Sequence, residues 1–319
     1  MARRSGRLVS LLGGIGIAAC ATLAQAQQQP PLTVTGARIQ KLANGVLGLM
    51  GYSVVPDLTS STLAIDSGGT GNPQITMSQL AGGFTLSRST PLYLEGGIAY
   101  SRFDPTFIAS NGQETRAIPV KWVSFSLSGG IGWDFPIAQD LAFRPIFNFA
   151  LGRVTSDLRL ARFVADDVTG EEIEFLDRGH HNSYGLGGSL MLDYERVRPD
   201  QEIDVELRYT AIRLQSFGGT AEALKSHADA VTASLYTRYR APTGMTALDR
   251  PVRYVLEYAF TRYLGDQPSL GFNSLHSVGA GLELDSSAHD IFITRTRLVG
   301  RYRFGNNVSG FGISLAVSF

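Results

Sequence analysis

The chain has 319 residues, equal numbers of acidic and basic residues, and 18% charged residues, below the roughly 25% of soluble domains. A neutral chain without a basic block argues against a nucleic-acid partner. Its single cysteine, Cys20, excludes an intramolecular disulfide.

The first 26 residues have the three parts of a secretory signal peptide. Three early arginines precede a run of about twelve mostly apolar residues, too short for a spanning helix. The segment "ATLAQA" then has small residues at the spacing that signal peptidase recognises. We predict a signal peptide at 1–26, cleaved before Gln27. In the alternative, the box "IAAC" directs cleavage that leaves Cys20 lipidated.

Residues 27–57 are predicted to contain a flexible lead and a short helix. Within 35–51, apolar side chains recur at helical spacing and polar side chains lie opposite them. The apolar stripe contains Ile39, Leu42, Val46 and Met50.

From 58 to 319 the pattern changes to strict alternation of large apolar residues with polar or small ones, which is typical of β-strands with two unlike faces. Pro145 has no N–H to donate to a neighbouring strand, so it predicts a bulge. No later stretch reaches the ~18 apolar residues of a membrane helix, so any membrane crossing must use strands. We predict twelve strands at 60–66, 74–87, 91–103, 122–135, 142–158, 183–196, 201–215, 227–240, 252–264, 273–285, 291–304 and 308–319.

The connections between these strands indicate a membrane barrel. If the C-terminus lies in the periplasm, the periplasmic turns are mostly short, and the two longest loops, 104–121 and 159–182, lie outside the cell. Aromatic residues of the apolar faces then form two belts, as expected at the two lipid–water boundaries. The predicted fold is an all-β, antiparallel, up-and-down transmembrane β-barrel of about twelve strands in the outer membrane of a Gram-negative cell.

The polar faces of these strands should line the lumen, the interior of the barrel. Acids and bases both occur there, and two interpretations remain open. The charges could pair across a rigid lumen, or they could line an ion- or solute-selective pore. The predicted lumen residues are Glu95, Asp193, Glu202, Asp204, Glu206, Arg208, Arg238, Arg253, Glu257, Glu283, Arg295, Arg297, Arg301 and Arg303.

One pair of residues has the spacing of a known catalytic pair. Outer-membrane phospholipases carry a His and a Ser two residues apart on one strand face, and His181 and Ser183 have this spacing. However, Tyr184 and Leu186 set the lipid face of this strand, so the pair should point into the lumen. The sequence also has no zinc spacing, phosphate-binding loop or hydrolase elbow. We therefore predict no enzyme activity, no cofactor and no metal.

The last ten residues, "GFGISLAVSF", end in an aromatic residue after alternating apolar positions. With the helix and the twelve strands, residues 34–319 resemble autotransporter β-domains, specifically solitary barrels without a large passenger. The resemblance implies a helix in or under the lumen as a plug and a structural or translocator-type role. It also implies a C-terminal signal for the barrel-assembly machinery, formed by Phe311, Ile313, Leu315, Val317 and Phe319.

The resemblance also sets the expected partners, which are periplasmic chaperones, the assembly machinery and the lipid and lipopolysaccharide of the outer membrane, around a monomeric barrel. Only about eight residues separate the predicted cleavage site from the helix, so we expect no exported passenger. A porin-like diffusion pore is the alternative function, and a lipid-modifying enzyme is a remote one.

Overall fold

The computed structural model describes most of the predicted barrel. The predicted signal peptide, lead and helix of 1–57, and the terminal Phe319, lie outside the described residues. No helix among the described residues is long and apolar enough to cross a membrane. The described ranges are 60–65, 74–104, 106–110, 115–119, 121–156, 180–218, 227–266, 271–287 and 293–318.

These residues form fifteen β-strands. The strands are β1 (Ser60–Ile65), β2 (Gln74–Thr85), β3 (Leu92–Phe103), β4 (Thr106–Ser110), β5 (Thr115–Pro119), β6 (Trp122–Trp133), β7 (Phe135–Ala138), β8 (Leu141–Ser156), β9 (His180–Val197), β10 (Glu202–Phe217), β11 (His227–Ala247), β12 (Arg250–Tyr263), β13 (Ser274–Asp285), β14 (Arg295–Gly305) and β15 (Val308–Ser318).

Twelve of the described strands close into a barrel. Their order around the ring is β1-β2-β3-β6-β8-β9-β10-β11-β12-β13-β14-β15, and all neighbouring pairs are antiparallel. The ring closes where β1 pairs with β15, from Ser60↔Ile313 to Ile65↔Val308. The predicted all-β, antiparallel, twelve-stranded barrel is therefore confirmed.

The structure corrects three details of the predicted strands. Pro145 pairs in regular register with Leu190 of β9, so no bulge occurs there. On the other side of β8, the ladder with β6 stops at Gly132↔Ile146, the residue next to Pro145, so the missing N–H leaves no gap in that ladder. A register shift lies instead in β11, between Pro242 and Thr246, and lets that strand continue to Ala247. The predicted loop 104–121 contains a small hairpin, β4–β5, and β7 is a short strand paired with β8.

The two faces of the barrel wall have opposite character, as β15 illustrates. Phe311, Ile313 and Leu315 point outward and are 73%, 65% and 64% exposed, whereas Ser314 and Ala316 point inward and are buried. Successive side chains on a strand point to opposite faces, so the sequence alternation becomes an apolar exterior and a small or polar interior. An exterior of this kind is stable against lipid, since exposing it to water would cost about 25 cal/mol per Å².

Glycines let neighbouring strands approach closely in the barrel wall. A Cβ atom added at Gly187 would lie 2.0 Å from the carbonyl oxygen of Ala211 and 2.6 Å from the Cα of Ile212. Both atoms belong to the backbone of β10 and cannot move aside without breaking the ladder. Only glycine is tolerated at this position.

The connections distinguish the two ends of the barrel. The strand ends that are joined by the long connections, 104–121 and 157–179, lie at one end, and short turns such as 248–249 lie at the other. Long extracellular loops and short periplasmic turns are the rule in outer-membrane barrels. We therefore call the end with the long connections the outer end.

Candidate functional site

The predicted lumen charges lie on seven strands, β3 and β9 to β14, with their side chains on the inward face. Several of these side chains are almost completely buried from solvent, although a charged group is strongly hydrated when it is exposed. Burial of so many charges is favourable only when each charge is paired and hydrogen-bonded. The most deeply buried are Asp193, Glu202, Asp204, Glu257, Glu283, Arg297, Arg301 and Arg303.

Glu95 and Arg208 form an ion pair that crosses the lumen. Nη1 of Arg208 donates to Oε2 of Glu95 at 2.8 Å, and Nη2 donates to Oε1 at 2.7 Å. Asn148 donates to the same carboxylate at 2.6 Å, and Arg208 also donates to Ser189 at 2.9 Å. Three strands separate β3 from β10 around the ring, so this bidentate pair connects strands that share no backbone ladder.

Arg144 forms a second cross-strand contact that the sequence analysis did not identify. Its guanidinium donates to Asp134 at 3.0 Å, forms an ion pair with Asp193 at 2.9 Å and lies 3.9 Å from the ring centre of Tyr93. Burial alone would raise the pKa of the Asp134 carboxyl, but hydrogen bonds from Arg144 and Thr85 outweigh it and hold that pKa below its usual value. On β8, Arg144 and Asn148 alternate with aromatic residues. This alternation could have placed Arg144 on the inward face, where the contact forms.

Glu202 is the centre of the largest charge cluster. Its two carboxylate oxygens accept hydrogen bonds from Arg253 at 2.7 Å and from Arg295 at 2.5 and 2.9 Å. Arg240 lies 2.8 Å from the same carboxylate and 3.1 Å from Asp204. Arg295 is on β14 and Glu202 on β10, so this cluster also spans three intervening strands.

Further ion pairs extend the network along β11 to β14. Arg301 donates to Glu257 at 2.9 and 2.6 Å, and Tyr236 donates to the same carboxylate at 2.8 Å. Arg297 donates to Glu283 at 3.2 Å. Among neighbouring strands, Arg238 on β11 donates to Asp204 on β10 at 2.7 Å.

The two remaining predicted residues are Glu206 and Arg303. Glu206 lies between Asp193 and Tyr236 in the register, and no described residue forms an ion pair with it. Arg303 is buried between Ser277 and Gly310, near the outer end.

The inward face near the outer end is mostly apolar, with Arg303 as a buried charge there, whereas the sequence pattern predicted a charged lumen. The apolar side chains there come from ten of the twelve barrel strands and from Phe272, just before β13, and form one buried cluster. Apolar side chains that fill a lumen oppose the passage of water and ions. The members of this cluster are Leu63, Ile65, Ile75, Met77, Phe103, Trp122, Ala150, Val154, Ile212, Leu214, Ala228, Ala230, Tyr263, Phe272, Leu275 and Val308.

His181 and Ser183 point into the lumen, and both are buried. Neither ring nitrogen of His181 has a hydrogen-bond partner, so no base–nucleophile pair is assembled there. A His and Ser so enclosed cannot reach a lipid ester outside the barrel. Among the described residues, no group of three or more His, Cys, Asp or Glu is placed to hold a metal ion.

No family model and no curated protein matches the sequence. Among solved structures, the transport unit of the autotransporter AIDA-I from Escherichia coli matches 87% of this chain and 99% of its own length, at 11% identity and a TM-score of 0.50. The β-domain of the Bordetella autotransporter BrkA matches 82% of this chain and 100% of its own length, at 13% identity and a TM-score of 0.46. The translocator domain of NalP from Neisseria meningitidis matches 81% of this chain and 84% of its own length, at 12% identity and a TM-score of 0.43. The likeness to AIDA-I shows that this barrel has the fold of that autotransporter's transport unit.

Proposed function

We propose that the protein is an integral outer-membrane barrel of the autotransporter translocator type, with a structural or translocator role and a lumen that is closed at rest. The observation that carries this proposal is the filling of the inward face by two kinds of contact. Arginine–carboxylate pairs cross the lumen, and an apolar cluster occupies its outer end.

The charge network supports a closed lumen because its acids and bases pair with each other. A diffusion pore that selects ions or solutes presents charges to the water column. Here the carboxylates of Glu202 and Glu283 are buried, and each is within ion-pair distance of more than one arginine. The cavity beside Glu95 and Arg208 has a volume of about 10 Å³, room for about one water molecule.

The exterior supports placement in a membrane. Large apolar side chains are exposed on the outward face around the whole ring, including Leu80, Phe125, Leu207 and Leu298. An apolar band on the exterior and polar residues inside are the pattern of transmembrane barrels. The fold of the AIDA-I transport unit points to the same location, the outer membrane.

Planar-bilayer conductance tests the closed lumen. The intact protein, inserted after its heat-modifiable gel migration has verified folding, should produce no steady open current. Deletion of 35–51 should raise the conductance if that segment also blocks the lumen. A steady current from the intact chain would favour the alternative, a porin-like diffusion pore.

A further inference from the structure

Three cations cluster on the outward face of the barrel, near the outer end of three neighbouring strands. Arg102 lies on β3, Lys121 directly precedes β6, and Arg153 lies on β8; all three are exposed. Their strands are adjacent in the ring, because β3 pairs with β6 and β6 pairs with β8. We call Arg102, Lys121 and Arg153 the outer basic cluster.

The strand register brings these residues close together. Arg102 is opposite Val123, and Arg153 is opposite Phe125, the next outward position along β6. With strands about 4.8 Å apart and about 3.3 Å per residue, the Cα atoms of Arg102 and Arg153 are about 12 Å apart. Lys121 lies one outward position beyond Val123, about 8 Å from Arg102 by the same geometry. Long side chains can therefore converge on one ligand.

The cluster has an excess of positive charge. Arg102 forms an exposed ion pair with Asp104 at 3.1 Å, which is worth little at such a site. Among the described residues, no acid forms an ion pair with Lys121 or Arg153. By contrast, Arg213, near the outer end of β10 on the same outward face, lies directly opposite Asp229 in the register.

An exposed apolar surface lies immediately below the cations. It contains Tyr100 and Leu151, which lie two residues further from the outer end than Arg102 and Arg153 on the same strands, and Phe125, which is level with Arg153 and four residues from Lys121. A ligand that suits both surfaces needs acyl chains that contact the apolar wall and anionic groups at the height of the cations. This combination is that of an amphipathic phosphorylated lipid of the outer leaflet.

We propose that the outer basic cluster binds the phosphate groups of lipid A, the lipid anchor of lipopolysaccharide, while its acyl chains contact the wall formed by Tyr100, Phe125 and Leu151. Arginine presents a planar fork of donors that matches a phosphate, and lysine adds a compact charge. The proposal rests on the placement of the barrel in the outer membrane. The proposal goes beyond the proposed function, because the closed lumen involves the inward face of the barrel wall and the lipid site lies on the outward face.

The test compares lipid A binding by the full-length protein and two variants in detergent, with native mass spectrometry as the readout. The triple variant R102Q/K121Q/R153Q should bind bis-phosphorylated lipid A at least about tenfold more weakly than the parent, since three charge-assisted contacts are lost. The control R213Q removes one outward charge from another part of the wall and should change the affinity less than about twofold. Chemically dephosphorylated lipid A should bind the parent as weakly as lipid A binds the triple variant.

Three results would overturn the proposal. The triple variant could keep the affinity of the parent, or dephosphorylated lipid A could bind as tightly as lipid A. Displacement of lipid A by millimolar inorganic phosphate would show that the cations recognise free phosphate rather than a lipid. Heat-modifiable migration is recorded for every variant as the test of folding. A parent protein that lacks it would contradict the membrane barrel itself. A folded triple variant with unchanged binding would contradict only the lipid site.

Discussion

The ion pair between Glu95 and Arg208 offers the sharpest quantitative test of the lumen network. In the variant R208M the carboxylate of Glu95 keeps only its hydrogen bonds from Asn148 and Tyr93. Removing one partner of a buried pair typically costs about 3–5 kcal/mol, because the remaining charge is left uncompensated. The retained donors place R208M at the lower limit, about 3 kcal/mol.

The reciprocal variant and the double variant complete the cycle. E95Q should also cost about 3 kcal/mol, since Arg208 keeps its hydrogen bonds to Ser189 and Thr210 but loses its counter-charge. The double variant E95Q/R208M leaves no uncompensated buried charge, so it should lose less than either single variant, well below the about 6 kcal/mol of independent sites. R208K keeps the charge without the bidentate geometry and should lie between the parent and R208M.

Urea unfolding from lipid vesicles, followed by tryptophan fluorescence and by gel migration, measures these free energies. Each variant is compared with the parent at one lipid composition and one salt concentration. A double variant whose loss equals the sum of the two single losses would show that the two side chains do not interact. That result would refute a lumen closed by cross-barrel pairs.

Three further predictions concern the wall and its rim. G187V should abolish heat-modifiable folding because its side chain would collide with the backbone of β10, whereas G82A, where nothing lies within 4 Å of the added Cβ, should fold as the parent does. I313R should destabilise the barrel in lipid by about 2–4 kcal/mol, and I313A by much less, when both are measured by vesicle unfolding; equal losses would argue against a lipid-facing position. The lowered pKa of Asp134 means that its stabilising contact with Arg144 is complete above the pKa of the unfolded chain, about 4, and is lost as the pH falls below it. The unfolding midpoint of the parent should therefore fall in acid more than that of D134N, and identical pH profiles would contradict this contact.

The strands were predictable because their alternation is long and nearly uninterrupted. All twelve predicted barrel strands correspond to strands of the structure, and β15 follows the predicted apolar and small positions residue by residue. A one-residue register slip would move every apolar side chain of β15 to the lumen, so the pattern strongly constrains the pairing. Where proline interrupts the alternation, at Pro145 and Pro242, the sequence alone gave the bulge the wrong position.

The lumen contacts were less predictable, because partners across a barrel depend on strand tilt and stagger. The alternation assigns Glu95 and Arg208 to a common face, but no local spacing indicates that residues 113 positions apart form a bidentate pair. The apolar cluster was missed for a related reason. Ile75 and Met77 on β2 alternate with polar residues as lipid-facing residues would, and only the structure shows that they are buried inside the barrel.

The central claim, that the alternation of this chain separates lipid from a closed lumen, is tested most directly by spin-label scanning of β15 in lipid vesicles. Single cysteines would be introduced from Ser309 to Val317 after replacement of Cys20, the one cysteine of the sequence. Labels at Phe311, Ile313 and Leu315 should collide with lipid-soluble oxygen, and labels at Gly312, Ser314 and Ala316 should not. Odd positions that respond instead to a water-soluble nickel reagent, or a scan without two-residue periodicity, would contradict the account.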